Sequence, residues 1–209
     1  MKTTNRIIRI LDTLSKTYPD AKCMLEYNKD YELVIAVMLS AQTTDVAVNK
    51  VTAILFSRYK TVQELSYAQV ADIYEIVKKL GLAAKKSQNV VEIAKIISNQ
   101  FDGHVPNSEE KLSRLPGVGR KTINVILSEL FNEDRLAVDT HVSRLAIRMG
   151  FANNGDDAYA IEQKLLKVIP CGNRKKAHHL LIRHGRTICK AKGFDCSSCP
   201  INSDCKKII

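Results

Sequence analysis

Apolar residues along this chain recur at intervals of three and four, and alternation with a period of two never persists, so the pattern is that of amphipathic helices rather than strands. The periodicity and its punctuation predict ten helical segments, at 4–16, 31–41, 45–59, 69–80, 84–101, 108–115, 120–131, 139–149, 157–168 and 175–189. In the third, Val48, Val51, Ile54 and Leu55 are expected to share one buried stripe. Gly81 reads as a left-handed stop for the fourth segment, Asp102-Gly103 and Pro106 close the fifth, Gly150 ends the eighth, and Pro170 follows the ninth. Connections are short, and no fixed-period repeat or proline-rich linker interrupts them. The expectation is an all-α protein.

With 209 residues, 45% of them apolar and 26% charged, the chain can bury a core and is not disordered. Its longest apolar run, Leu33 to Leu39, is far below the roughly 20 residues that span a bilayer. Arg9 and Asp12 interrupt the only apolar stretch near the start, so no signal peptide is expected and the place of action is cytoplasmic, at the nucleoid if the source is bacterial. The formal charge is +10, and residues 171–209 hold nine Lys and Arg against two Asp. A polyanion would therefore meet the C-terminal fifth; the alternative is a basic face that serves solubility.

Four of the six cysteines, Cys189, Cys196, Cys199 and Cys205, form C-x6-C-x2-C-x5-C. In a reducing compartment that crowding points to metal rather than to disulfides. One close pair with wider arms suits zinc or an iron-sulfur cluster, and spacing does not choose between them. The surrounding lysines and arginines are expected to lower the thiol pKa values. Cys23 and Cys171 read as small buried side chains. His141 reads as a packing or hydrogen-bonding residue, and His178, His179 and His184 lack metal-ligand spacing with the cysteines.

Leu115-Pro116-Gly117-Val118-Gly119-Arg120-Lys121 joins two predicted helices through a turn with two glycines. Such a turn can aim backbone N–H groups outward at a helix N-terminus and seat a phosphate; the alternative is a tight helical corner. Lys121 then falls in the first helical turn beside Arg120, where the helix dipole and the neighbouring cation both work against an ammonium. A lysine so placed can act as a nucleophile on a sugar carbon. Asp139 precedes the 139–149 segment as an N-cap.

LPGVGRKT, then AVDTHV, then the four-cysteine loop, together with LSAQTTDVAVNKV and LLIRHGRTIC, resemble the endonuclease III family of DNA glycosylases over nearly the whole chain. The resemblance implies a helix-hairpin-helix DNA glycosylase fold with two helical lobes flanking a DNA-binding cleft. One is a six-helix barrel over 23–134; the other, from 1–22 and 135–209, surrounds a [4Fe-4S] cluster on Cys189, Cys196, Cys199 and Cys205. It implies that Lys121 is the nucleophile and that Asp139 assists its deprotonation. Gln42 would enter the base stack, and Leu82 would act as an apolar wedge. Leu115, Gly117, Val118, Gly119 and Arg120 would contact the DNA backbone. The implied activity is that of a monomeric, bifunctional glycosylase and AP lyase. Its partner would be double-stranded DNA with an oxidised or ring-saturated pyrimidine or an abasic site, and a Lys121 Schiff base would lead to β-elimination. Ser113 departs from the acidic residue that family members often carry, and Arg114 adds a charge beside the hairpin. An adenine-mismatch glycosylase is disfavoured by Lys121 and by the short tail after Cys205. A zinc-bearing DNA-binding module without catalysis is the competitor from another class.

Overall fold

The computed structural model describes residues 2–209. Eleven α-helices and no strand are found among the described residues. The chain divides into two compact units. One is Met24–Asn132, and the other joins the residues up to Cys23 with Glu133–Ile209.

The first unit holds α2 (Asp30–Leu39), α3 (Asp45–Arg58), α4 (Val62–Ser66), α5 (Val70–Val77), α6 (Ala83–Gln100), α7 (Glu109–Leu112) and α8 (Arg120–Phe131). Every residue of α2 from Tyr31 to Leu39 is buried, as an element apolar on all sides must be, and α3, α6 and α8 pack against it. Its one buried acid, Glu32, reaches back to accept the N–H groups of Asn28 and Lys29 at 2.7 and 3.2 Å, which satisfies both the carboxylate and the helix start.

Three features differ from expectation. Ile54 is exposed, because the stripe of α3 runs Val48, Val51, Thr52, Leu55 at helical spacing and Thr52 turns its hydroxyl onto the Val48 carbonyl at 3.1 Å. The left-handed residue near the end of α5 is Leu82, at φ +62°, and not Gly81; α5 stops at Val77 and the backbone turns again before α6 begins. The 108–115 segment is helical only over α7, since Pro116 disfavours helical backbone at Leu115.

The second unit packs α1 (Lys2–Thr17), α9 (Thr140–Arg148), α10 (Ala158–Val168) and α11 (Arg174–Thr187) around Ile7, Ile10, Leu14, Leu145, Leu165 and Leu181. Arg6 of α1 lies 4.0 Å over the Phe151 ring and donates to the carbonyls of Met149 and Asp204 at 2.6 and 2.9 Å. Cys171 is exposed, contrary to expectation, because it sits in the surface turn before α11 whose N–H groups, from Gly172 and Arg174, bind the Asp134 carboxylate.

Candidate nucleic-acid interface and metal site

Between α7 and α8 the chain makes one tight turn. Val118 donates its N–H to the Leu115 carbonyl at 3.1 Å, with Pro116 and Gly117 as the central residues and Gly117 at φ +77°. Proline followed by a positive-φ glycine is what a type II turn requires. A Cβ added to Gly117 would lie 2.6 Å from Asn89 Nδ2 and 3.1 Å from Met38 Cγ, so the turn is pressed onto α6 and α2. At Gly119 an added Cβ would meet no heavy atom within 4 Å. Leu115 and Val118 bury their side chains, whereas Gly117, Gly119 and Arg120 are exposed. The Val118 N–H is thus used inside the turn and does not face outward as the sequence suggested. Lys121, half-buried, is the second residue of α8, whose N-cap is Gly119.

Gln42 and Leu82 occupy two other exposed turns of the same unit, and both have left-handed backbones, at φ +57° and +62°. Leu82 is 58% exposed, so it is largely open to solvent. Non-glycine residues rarely hold this conformation unless their surroundings impose it. The two turns are neighbours: a Cβ on Gly81 would lie 3.9 Å from the Gln42 carbonyl oxygen, and Lys86 Nζ donates to the Ala41 carbonyl at 2.8 Å.

Asp139 belongs to the other unit and caps α9, accepting the Val142 N–H on Oδ1 at 2.8 Å. His141 packs its Cβ against α11, where a Cβ on Gly185 would lie only 3.0 Å away, and its Nδ1 is 3.2 Å from Arg144 Nη2.

Cys189, Cys196, Cys199 and Cys205 are all free thiols and line one cavity with Leu145, Arg148, Met149, His184 and Ile201. Among the described residues no three His, Cys, Asp or Glu side chains gather tightly enough to hold a single metal ion. Burial raises the pKa values of Cys199 and Cys205, with the neighbouring thiols adding to the effect; backbone N–H groups at Ile201 and Lys207, and to a lesser extent Arg6 at Cys205, offset it only in part. This corrects the expectation of a lowering at these two positions: lost hydration outweighs the basic surroundings.

Residues 35–171 match the HhH-GPD superfamily of base excision DNA repair proteins. Endonuclease III of Rickettsia conorii is 42% identical over 197 residues, covering 94% of this chain and 93% of that protein. The Escherichia coli K12 enzyme is 40% identical over 199 residues, covering 95% and 94%. The chain belongs to the endonuclease III family. A solved structure of a trapped endonuclease III–DNA covalent intermediate superposes with a TM-score of 0.93 at 39% identity, covering 99% of this chain and 97% of that one.

Within this endonuclease III fold, three residues around the cysteine loop escaped sequence reasoning. Arg144 donates to the carbonyls of Cys189 and Gly185 at 3.0 and 2.8 Å. Arg148 donates to the Lys190 carbonyl at 2.7 Å, lies 3.3 Å from Cys189 Sγ and stacks 3.9 Å over Phe194. His184, 1% exposed, contacts Tyr18 Oη at 3.1 Å and Cys199 Sγ at 3.6 Å, and burial pushes its pKa down to about 4. The signal that could have found the arginines is their separation of four residues on one helix.

Proposed function

We propose that Lys121 is the nucleophile with which this bifunctional DNA glycosylase and AP lyase acts on duplex DNA bearing an oxidised or ring-saturated pyrimidine. Its amine attacks C1′ of the sugar; the glycosidic bond breaks with its electron pair on the base, which takes up a proton. Opening of the sugar ring then gives an imine, and loss of a C2′ proton expels the 3′ phosphate by β-elimination. Asp139 is the carboxylate that assists deprotonation of the amine and offsets positive charge developing on the sugar. Its Oδ1 is committed to the α9 cap, which fixes the carboxylate's orientation.

The observation that carries this reading is the setting of Lys121. It follows a type II turn and an exposed Gly119, where an added Cβ would meet no heavy atom within 4 Å, at the N-terminus of a 12-residue helix. Backbone exposed there offers a phosphate close approach and puts the strand beside the amine. Gly117 and Arg120 grip the same strand, and Leu115 and Val118 support it from the core. A base inside a duplex is out of reach of any nucleophile, so it must be extruded. Gln42 and Leu82 fill the space it leaves and offset lost stacking.

The four cysteines fit a [4Fe-4S] cluster, since all four line one cavity and such a cluster takes four thiolates. When bound, the cluster cross-links the basic loop that carries Lys190 and Lys192. In this reading the protein works as a monomer in the cytoplasm, and at the nucleoid if its source is bacterial. No helix among the described residues is long and apolar enough to cross a membrane.

Borohydride reduction on a duplex with one oxidised pyrimidine tests the reading. The parent chain should give a covalent protein–DNA adduct, and Lys121→Gln none while still binding abasic-site DNA. An adduct with Lys121→Gln removes the mechanism.

A further inference from the structure

Lys86, the fourth residue of α6, is 3% exposed, although its side chain ends in an ammonium. Taking that charge out of water is costly, and a cation near a helix N-terminus adds to the cost. Burial alone lowers its pKa. What Lys86 does with the buried group is specific. Nζ donates to the carbonyl of Ala41, the residue before Gln42, at 2.8 Å. Its backbone N–H donates to the Leu82 carbonyl at 2.9 Å. That second bond is the first backbone bond of α6, so the Lys86 side chain ties the Gln42 turn to the helical turn that starts at Leu82. Three residues further along α6 stands Asn89, also buried, whose Nδ2 packs under Gly117 of the hairpin turn. Leu82, Lys86 and Asn89 fall at intervals of four and three, the spacing of one helical face.

We propose that Lys86 is a positioning residue for base extrusion: by holding the Ala41 carbonyl from within α6, it fixes the Gln42 turn against the Leu82 turn, so that both side chains enter the duplex as a pair. The inference rests on the reading of Gln42 and Leu82 as the residues that fill the base stack. Two strained turns on exposed loops would otherwise relax independently, and a pair of insertions that must occur together would lose its common register. A methionine of similar length could fill the space, but only a donor can bind the carbonyl.

The test compares Lys86→Met with Gln42→Ala and Leu82→Ala. The readouts are single-turnover base excision from a lesion duplex, the fluorescence of 2-aminopurine opposite the lesion, and cleavage of a single strand with a preformed abasic site. In Lys86→Met, excision should fall on the order of tenfold further than single-strand cleavage does, and the 2-aminopurine rise on binding should be lost. Added to Gln42→Ala, it should cost less than about threefold more, because it acts through the same turn. A folded Lys86→Met that excises and unstacks like the parent overturns the proposal, as does an equal loss of both reactions. If Lys86→Met does not fold, Lys86→Gln, which keeps a donor too short for the Ala41 carbonyl, is judged by the same outcomes. Should Gln42→Ala and Leu82→Ala both leave excision intact, the stack-filling reading fails first and takes this proposal with it. Slow Gln42→Ala and Leu82→Ala beside an unimpaired Lys86→Met sinks the role of Lys86 alone.

Discussion

Gly117 and Gly119 stand two residues apart at one helix-helix corner, in different surroundings. At Gly117 the backbone is left-handed and an added methyl group would press into Asn89 and Met38. At Gly119, with extended φ and open surroundings, the protein itself tolerates a methyl group. Gly117→Ala should destabilise the fold by roughly 1–3 kcal/mol, seen as a lowered melting temperature. Gly119→Ala should melt within about 0.5 kcal/mol of the parent yet bind duplex DNA less tightly by filter binding or anisotropy. Equal stability losses at both sites would mean that the second glycine serves the corner and not the strand. The hairpin glycines were legible from sequence because glycine has few other uses at such a place. Leu82 was not, because nothing in a leucine announces a positive φ: it lies in the turn after α5, as the N-cap of α6.

At the scale of the helix, the cap that Asp139 provides and the catalytic role proposed for it can be separated by substitution. Asn caps a helix about as well as Asp, and Ala does not. Asp139→Asn should therefore melt near the parent temperature while single-turnover excision falls by roughly 100-fold or more, a general-base or charge effect. Asp139→Ala should lose the same activity and, in addition, about 1 kcal/mol of stability as the Val142 N–H is left without its acceptor. Matching losses of stability in the two variants would reduce Asp139 to a cap. The helices themselves were largely readable, since their apolar spacing and glycine or proline stops are local. The missed element, α4, spans only five residues, too short for periodicity to register. Its signal was present all the same: Thr61 accepts the Glu64 N–H, and Thr61-x-x-Glu64 has the form of a capping sequence. Ile54 illustrates the opposite error, an apolar residue credited to a stripe that a threonine occupies.

For the molecule as a whole, two separate hydrophobic cores mean that damage to one unit should not spread evenly to the other. The cluster proposed for the cysteine loop should give the purified protein a yellow-brown colour, with iron in place of stoichiometric zinc. On its oxidative removal, hydrogen exchange should rise in 184–207, in α9 and in α1, whose Arg6 and Arg9 bind the loop at Asp204. Exchange in 31–127 should stay near its starting level. Uniform deprotection of both units would contradict this independence. The proposed ligands stand out as a cysteine pattern, whereas Arg144 and Arg148 carry only their helical spacing and His184 not even that, because all three reach the loop through tertiary packing.

The second unit is assembled from the two ends of the chain, with 24–132 inserted between them. During synthesis, then, α1 leaves the ribosome long before α9 to α11 exist to cover Ile7, Ile10 and Leu14. At about 5–20 residues per second, the stretch that completes its partner surface arrives roughly ten seconds or more later. Until then the apolar face of α1 stays uncovered on the nascent chain. Chaperones that scan for such segments would find this protein's most vulnerable moment there, well before any DNA is met.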